Sequence, residues 1–137
     1  MRKNKKTMAI IFLSILVSVV FLSGCIDTVV TIGWTQGNCS SATLKGAAPA
    51  EYYNYHLVKV EFYFDNEHHS ELELTEYSTL DADIKLENNK AVYFERQIYG
   101  LDPLERYYFR AVATYAVMDG NLPSVIYGEE INFSLTD

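Results

Sequence analysis

Apolar and polar residues alternate along much of the chain after residue 40, a pattern that indicates β-strands. The clearest alternating runs are LVKVEFYF (57–64), ELELTE (71–76), AVYFERQI (91–98) and INFSLT (131–136). In the first run one face is apolar and the other polar: Val58, Val60, Phe62 and Phe64 against Lys59, Glu61 and Tyr63. No helical period persists, so each run is predicted to be a strand with one buried and one solvent-facing side.

Turn-forming sequences rich in Gly, Asn, Asp and Pro separate these runs. They are GAAPAE (46–51), DNEHHS (65–70), ENNK (87–90), YGLDPLE (99–105) and MDGNLPS (118–124). This leaves about seven strands in about 110 residues, a spacing typical of a small antiparallel sandwich. A parallel sheet is excluded, because no connection is long enough to hold a crossover helix. We therefore predict an all-β, antiparallel β-sandwich.

The first 24 residues have the three regions of an export signal. Four basic residues lie in MRKNKK, an apolar run follows from Met8 to Leu22, and the segment ends in LSGC. The apolar run is shorter than the about 20 residues that a spanning helix needs. LSGC resembles the lipobox of prokaryotic lipoproteins, and this resemblance implies that Cys25 carries lipid and becomes the first mature residue. The alternative is an uncleaved anchor helix with an incidental cysteine.

Both interpretations predict export, with the lysines left on the cytoplasmic side. The chain is then divided into a helical lipoprotein signal peptide, a lipid attachment site with a tether and a candidate first strand, and the sandwich. These three parts are residues 1–24, 25–40 and 41–137. The expected location is the outer face of the cytoplasmic membrane, at the cell surface.

The segment from Tyr99 to Tyr115 carries a more specific pattern. The spacing of Leu101, Pro103 and Tyr107 predicts a leucine that plugs the core, a stiff turn, and a tyrosine whose hydroxyl reaches back to upstream backbone, as in the tyrosine corner. Apolar residues then alternate at Phe109, Ala111 and Ala113. This segment resembles the E–F corner and F strand of fibronectin type III domains, which implies an immunoglobulin-like sandwich.

Two further segments are similar to strands of bacterial and archaeal members of that family. They are SATLKG (41–46), similar to the B strand, and YGEEINFSLTD (127–137), similar to the last strand. The sequence departs from the family at Leu104-Glu105, where Gly-Thr is frequent, and it has no tryptophan near strand B, since its only one is Trp34. It also lacks an Arg-Gly-Asp triplet, so the resemblance implies no integrin-type adhesion.

The exported part is strongly acidic. All eighteen Asp and Glu but only seven of the eleven Lys and Arg follow residue 24, which gives a formal charge of −11. This charge argues against nucleic acid as a partner, because such binding depends on Lys and Arg that neutralise phosphates. With Cys25 lipidated, Cys39 is the one remaining thiol, and we expect it to be buried like most free cysteines.

The loop DNEHHSE offers a candidate metal site. His68 and His69 with Glu67 and Glu71 are potential ligands of a divalent ion. However, adjacent residues of a strand point apart, and a zinc site needs three or four converging ligands. The alternative is an ordinary solvated hairpin connection, so neither a metal nor another cofactor is expected.

Catalysis has little support in the sequence. A nucleophile needs a base within reach and a third group that orients the base. The chain has three histidines, two of them adjacent, and neither a Gly-x-Ser-x-Gly motif nor a phosphate-binding loop. We therefore expect a protein that is not an enzyme.

Tyrosines are the best candidate binding residues, because they contribute contact area at low entropic cost. One group lies in the loop EYYNYH, at Tyr52, Tyr53 and Tyr55. A second would form on the outer face where the C and F strands of the resembled fold are neighbours: Lys59, Tyr63, Tyr108 and Arg110. The alternative is structural, since aromatic residues also pair across strands to stabilise sheets.

Two sequons, at Asn38 and Asn132, are candidate N-glycosylation sites if the host glycosylates exported proteins. The sequence as a whole predicts a lipid-anchored binding module at the cell surface, attached to the membrane through its lipid and directed at another surface or extracellular protein. One alternative is a carbohydrate-binding surface protein that uses exposed tyrosines. A second alternative is a metal-binding surface protein.

Overall fold

The computed structural model describes residues 27–116 and 122–136, and in this part the chain is all-β. Ten strands form, all paired antiparallel, together with one short 3-10 helix at Glu71–Glu76. The strands are β1 Val30–Gln36, β2 Ala42–Pro49, β3 Glu51–Tyr52, β4 Tyr55–Asp65, β5 Ser78–Asp81, β6 Asp83–Glu87, β7 Ala91–Ile98, β8 Tyr107–Ala116, β9 Ser124–Tyr127 and β10 Ile131–Phe133. The predicted all-β antiparallel class is confirmed.

The strands form two sheets that pack face to face as a sandwich. The first sheet has the order β1-β2-β7-β6, and the second has the order β10-β8-β4-β3. Strand β5 pairs with β4, and strand β9 pairs with β8. Strands β9 and β10 pair with successive stretches of β8, so they act as one edge strand that is interrupted at residues 128–130.

Aromatic rings fill the space between the sheets. Phe62, Phe94, Phe109 and Phe133 are fully buried, and their ring centroids lie 5.3–6.1 Å apart in three contacts. These residues fall on the apolar positions of the alternating runs, as do Val60, Val92 and Ile98. The alternation therefore predicted the inward faces of β4, β7 and β10.

The predicted tyrosine corner forms. The Tyr107 hydroxyl oxygen accepts a hydrogen bond from the Asp102 N–H at 2.8 Å. Leu101 is buried, and its N–H donates to the Ser40 carbonyl at 2.9 Å. Both contacts fix the loop between β7 and β8 against the end of the core.

Three local predictions are wrong. ELELTE is the 3-10 helix and not a strand, with Leu72 96% exposed, because no sheet edge pairs with it. Val58 is exposed and does not share the inner face, because a bulge between Leu57 and Lys59 shifts the register of β4. Most of GAAPAE lies in β2, which pairs with β7 as far as Pro49.

The segment before residue 41 contributes a strand, because β1 pairs with β2 along its whole length. Trp34 lies on it and stacks on Phe133, with ring centroids 4.7 Å apart. The prediction of a buried Cys39 is wrong, since this residue lies exposed in the turn between β1 and β2, where nothing covers it.

The predicted signal peptide, residues 1–24, and the predicted lipid attachment at Cys25 lie outside the described residues. Within the described ranges, no helix is long and apolar enough to cross a membrane.

Replacing Tyr107 by Phe removes the acceptor of the Asp102 N–H and tests the corner. We expect the free energy of unfolding to fall by about 1–2 kcal/mol, because a partly buried amide loses its partner. Urea denaturation with an unchanged m-value measures this loss. Tyr99→Phe is the matched control: its hydroxyl donates to Gln97 at the surface, so its effect should stay below about 0.5 kcal/mol. Equal losses in the two variants would show that the corner bond contributes nothing.

Candidate functional site

The connection between β4 and β5, residues 66–77, lies over the outer face of the second sheet. Tyr77 at its end is buried, and its ring stacks on Tyr63 of β4 with centroids 5.9 Å apart. Arg110 of β8 lies in the same layer and is also buried, at 6% exposure. This outer face is therefore covered by a loop rather than open to solvent.

Glu130, in the break between β9 and β10, is the centre of a hydrogen-bond network. Its carboxylate accepts hydrogen bonds from the Tyr77 hydroxyl and from the His69 N–H, the latter at 3.2 Å, and pairs with the His68 imidazole. Because these contacts join residues more than 50 positions apart, Glu130 attaches the loop to the last strand.

Arg110 also belongs to this hydrogen-bond network. Its guanidinium donates to the Gly128 carbonyl at 3.1 Å and to the Tyr77 hydroxyl at 3.4 Å, and it lies 5.8 Å from the ring centre of Tyr127. A buried cation and the nearby Glu130 carboxylate thus share the Tyr77 hydroxyl, which offsets part of the cost of burying each charge.

The surroundings shift the pKa of both acidic groups. Burial raises the pKa of Tyr77 to about 12, and its hydrogen bond to the Glu130 carboxylate acts in the same direction. Burial alone would raise the pKa of Glu130, but the hydrogen bonds from Tyr77, His68 and the His69 amide outweigh it and hold this pKa below its usual value. At neutral pH the network therefore contains a neutral tyrosine and an ionised carboxylate.

His69 belongs to a second cluster in the same loop. Its ring is buried, packs edge-on against Tyr77 at 4.7 Å, and places Nε2 2.5 Å from an Asp65 carboxylate oxygen. Its Nδ1 has no hydrogen-bond partner within residues 27–116 and 122–136, and it lies 3.7 Å from Glu73 Oε2. The hydrogen bond to Asp65 raises the pKa of His69 above its usual value, against the opposing effect of burial.

This cluster differs from the ligand set predicted for a metal. Asp65, Glu67 and His69 place one potential ligand atom each within 4.8 Å of one another. His68 is directed to Glu130 instead, and Glu71 lies exposed on the 3-10 helix. The prediction from the sequence did not include Asp65, which was placed in the same turn-forming segment but not among the ligands; its spacing of four residues from His69 was the available signal.

The outer face predicted to be an exposed aromatic surface is mostly occupied. Lys59 pairs with Glu61 at 3.3 Å and with Asp81 at 3.6 Å. Tyr63 and Tyr108 are half-buried, the first under Tyr77 and the second beside His68. The expectation of an exposed Arg110 is wrong, because the loop and the last strand enclose it.

The tyrosines of EYYNYH lie at the β3–β4 hairpin, whose two-residue turn is Tyr53-Asn54. Tyr53 is 82% exposed, and its φ of 54° is in the left-handed region that side chains rarely adopt. Tyr52 packs edge-on against Tyr53 at 4.8 Å and also lies 5.6 Å from the buried Tyr115. Tyr55, like Tyr52, is half-buried, so Tyr53 alone of the three is presented to solvent.

A groove of about 310 Å³ lies beside this hairpin, where the two sheets open between β4 and β6. Part of its wall is apolar, with Val58 and Ile84 among six apolar residues, and part is polar, formed by Lys59, Glu87 and Asn88. Val58 is 60% exposed and Ile84 is 50% exposed, so the apolar rim is accessible. The bulge in β4, which the alternation did not reveal, is what places Val58 at this rim.

Both sequon asparagines are exposed. Asn38 lies in the turn after β1, where its side chain accepts from the Ser40 N–H at 2.9 Å. Asn132 points outward from β10 and accepts from Arg106 at 2.8 Å. Both positions are sterically open to modification.

No protein-family model matches the sequence, and no curated protein matches it either.

Replacing Glu130 by Ala tests whether this residue attaches the loop. We expect amide hydrogen exchange in residues 66–77 to become about tenfold faster or more, because the buried Tyr77 hydroxyl and the His69 N–H lose their acceptor. Exchange measured by mass spectrometry should stay unchanged in β2 and β7. Glu129→Ala is the matched control, since the neighbouring Glu129 is exposed. An unchanged exchange rate in the loop of the Glu130 variant would contradict the assignment.

Proposed function

We propose that this protein is a lipid-anchored module of the cell surface that binds another protein and performs no chemistry of its own. The observation that supports this best is the hairpin end of the sandwich, defined as residues 50–58 with the adjoining groove. There the exposed Tyr53 ring lies on the same hairpin as an accessible groove with a partly apolar wall, and protein interfaces use such a ring and groove as an anchor and its pocket.

The sandwich is proposed to be of the fibronectin type III-like, immunoglobulin-like kind. In the lettering of immunoglobulin domains, β1, β2, β7 and β6 would correspond to strands A, B, E and D, and β4, β8 and β10 to C, F and G. The hydrogen bond from the Asp102 N–H to Tyr107 also supports this type, because it lies at the E–F corner. Folds of this kind host many unrelated functions, so the site must carry the functional argument.

Backbone strain at Tyr53 supports a binding role for the hairpin. The favoured two-residue hairpin turns need a positive φ at the first central residue, which glycine or asparagine usually supplies. A tyrosine there costs about 1–2 kcal/mol. Strained residues of this kind concentrate at functional sites, where the side chain matters more than the fit of the backbone.

The direction of β1 indicates which end of the proposed module faces the membrane. Val30, the first residue of β1, lies opposite Ala47, near the end of β2 that leads into the hairpin. Cys25 lies five positions before Val30, so an extended chain between them spans at most about 17 Å. With Cys25 lipidated, the hairpin end faces the membrane, and the partner is a protein in or on the same membrane.

Two other occupants of the hairpin end, the lipid bilayer and a carbohydrate, have less support than a protein. The acidic exported part, at −11, opposes direct contact with anionic lipid, which favours a protein over the bilayer as the occupant of the hairpin end. A carbohydrate platform needs exposed ring faces, and among the three hairpin tyrosines only Tyr53 is exposed. The protein-binding proposal uses the groove as well as the ring.

Lipid attachment is tested by metabolic labelling with an alkyne fatty acid in a prokaryotic host that processes lipoproteins. The wild-type chain should incorporate label and remain in the membrane fraction. Cys25→Ser should lose the label, because the thiol that carries the lipid is absent. Cys39→Ser is the matched control and should label like the wild type, since its thiol is exposed but lies outside the lipobox. Equal labelling of Cys25→Ser and wild type would refute the lipoprotein proposal.

Photocrosslinking tests the proposed interface. A photoreactive phenylalanine at Tyr53 should give an adduct of defined mass with a membrane protein in the native cells. The same probe at Tyr99, which is 71% exposed at the opposite end, should not. Val58→Asp should reduce the Tyr53 adduct about tenfold, because a charge at the groove rim opposes burial of an apolar side chain. Val125→Asp, at an exposed valine of β9, is the matched control.

Tyr53→Gly separates binding from folding. The free energy of unfolding should stay equal or rise by up to about 1 kcal/mol, because glycine relieves the positive φ. Partner recovery should nevertheless fall, since the ring is gone. Undiminished recovery of the partner with both Tyr53→Gly and Val58→Asp would overturn the proposed interface. Adducts only with glycans would favour the carbohydrate alternative.

A further inference from the structure

Three potential metal ligands converge in the loop that follows β4. The carboxylates of Asp65 and Glu67 and the imidazole of His69 each place one ligand atom within 4.8 Å of the others. They are spaced at every second residue in a turn, so one short segment presents all three on the same side. Three convergent ligands of mixed nitrogen and oxygen type are the protein contribution of an open zinc site.

The imidazole of His69 is already oriented for coordination. Its ring is buried and packs edge-on against Tyr77, whose hydroxyl oxygen also lies 3.2 Å from the His69 carbonyl oxygen. Its Nδ1 has no hydrogen-bond partner among the described residues, and Glu73 Oε2 lies 3.7 Å from it. A proton on Nδ1 directed at Glu73 leaves the Nε2 lone pair free for a metal, which is the usual outer-shell arrangement of metal-bound histidines.

The His69–Asp65 pair needs to open only slightly to admit a metal ion, and Glu67, whose ligand atom lies within 4.8 Å of both, needs to move toward it. His69 Nε2 and Asp65 Oδ2 lie 2.5 Å apart, close enough to share one proton. With metal–ligand bonds of about 2.0–2.2 Å at a tetrahedral angle, two ligand atoms are about 3.3 Å apart. Exchange of that proton for a metal ion therefore widens the pair by less than about 1 Å.

The local charge also favours a cation. Residues 65–77 contain five Asp and Glu and no Lys or Arg. Glu67 is exposed and has neither a hydrogen bond nor an ion pair with any residue that the structure describes. A divalent ion supplies the positive charge that this carboxylate lacks.

We propose that the loop binds a divalent transition-metal ion of the zinc class through Asp65, Glu67 and His69, with Glu73 orienting the imidazole. An imidazole ligand selects this class over magnesium and calcium, which prefer all-oxygen sites. Three protein ligands leave a further coordination position for water. The site lies at the end of the sandwich opposite the hairpin, so it is independent of the proposed protein-binding interface.

The test is a titration of the full-length protein in detergent with zinc chloride, after all bound metal has been removed from the protein. Zinc should raise the unfolding midpoint, because an ion that binds only the folded state stabilises it. Calorimetry should show one site per chain, and cobalt should give a visible absorption band that excess zinc removes. Magnesium and calcium at the same concentration should compete with neither ion.

Glu67→Gln is the decisive variant. Glu67 is exposed and has no hydrogen bond or ion pair with a described residue, so the fold of the variant protein should be unaffected. We expect its zinc affinity to fall at least tenfold with an unchanged midpoint in the metal-free state. Glu73→Gln should lower the affinity about tenfold through the outer shell. His69→Gln should abolish the cobalt band.

Glu71→Gln and Glu76→Gln are matched controls, because they make the same chemical change at exposed residues of the same segment, outside the ligand set. Both should bind zinc within about twofold of the wild type, below the tenfold loss that even an outer-shell change causes. Absence of zinc binding in the wild type would overturn the proposal. Wild-type affinity in Glu67→Gln would also overturn it, and equal losses in the controls would show only nonspecific attraction to an acidic loop.

Discussion

The antiparallel pairing of β4 with β8 is the constraint on which the rest of the structure depends. The ladder runs from His56–Ala116 to Asp65–Tyr108 and forms the centre of the second sheet. Its inner side supplies Phe62 and Phe109 to the core, and its outer side supplies the floor of the Glu130 network. The hairpin extends from one end of this ladder, and the acidic loop begins at the other. A register slip of one residue would exchange the inner and outer faces, so both candidate sites depend on this register.

The two sheets can approach closely because small residues meet between them. A side chain added at Gly46 of β2 would lie 2.7 Å from the Cβ of Ala111 and 2.9 Å from the Phe94 ring. This contact leaves no room for a larger residue, and the rings pack around it. The alternation of alanines in β8, which looks weakly hydrophobic in the sequence, is therefore a requirement of the sheet separation.

The structural features that depend only on the spacing of residues within one strand or turn could be predicted from the sequence. Strand alternation located the inner faces of β4 and β7, and the spacing from Leu101 to Tyr107 predicted a hydrogen bond that forms. Alternation could not show that ELELTE lacks a sheet edge to pair with, because pairing depends on distant strands. Nor could it reveal the bulge at Val58, which shifts the pairing of β4 with β8 between Leu57 and Lys59.

The candidate sites were predicted only in part, for a related reason. A period of two shows which side chains share a face, but it does not show whether a loop later covers that face. Arg110 has the outward phase of an exposed residue and is buried, because Glu130 brings the loop over it from 20 positions away in sequence. The same coverage pairs His68 with Glu130, whereas His69 lies near the carboxylates of Asp65 and Glu67. Two histidines that are adjacent in the sequence therefore lie in different surroundings.

Buried charge explains why the loop has one path over the sheet. Ion pairs inside a protein cost desolvation and add little net stability, but leaving one charged partner unpaired is costly, which favours the arrangement that pairs Arg110, Tyr77 and Glu130. Arg110 and Glu130 each need the Tyr77 hydroxyl, and a displaced loop would leave both without it. A loop that covered the sheet with apolar side chains could lie in several positions. The loop held by these polar contacts has one position, and this position places the imidazole of His69 between Asp65 and Glu73.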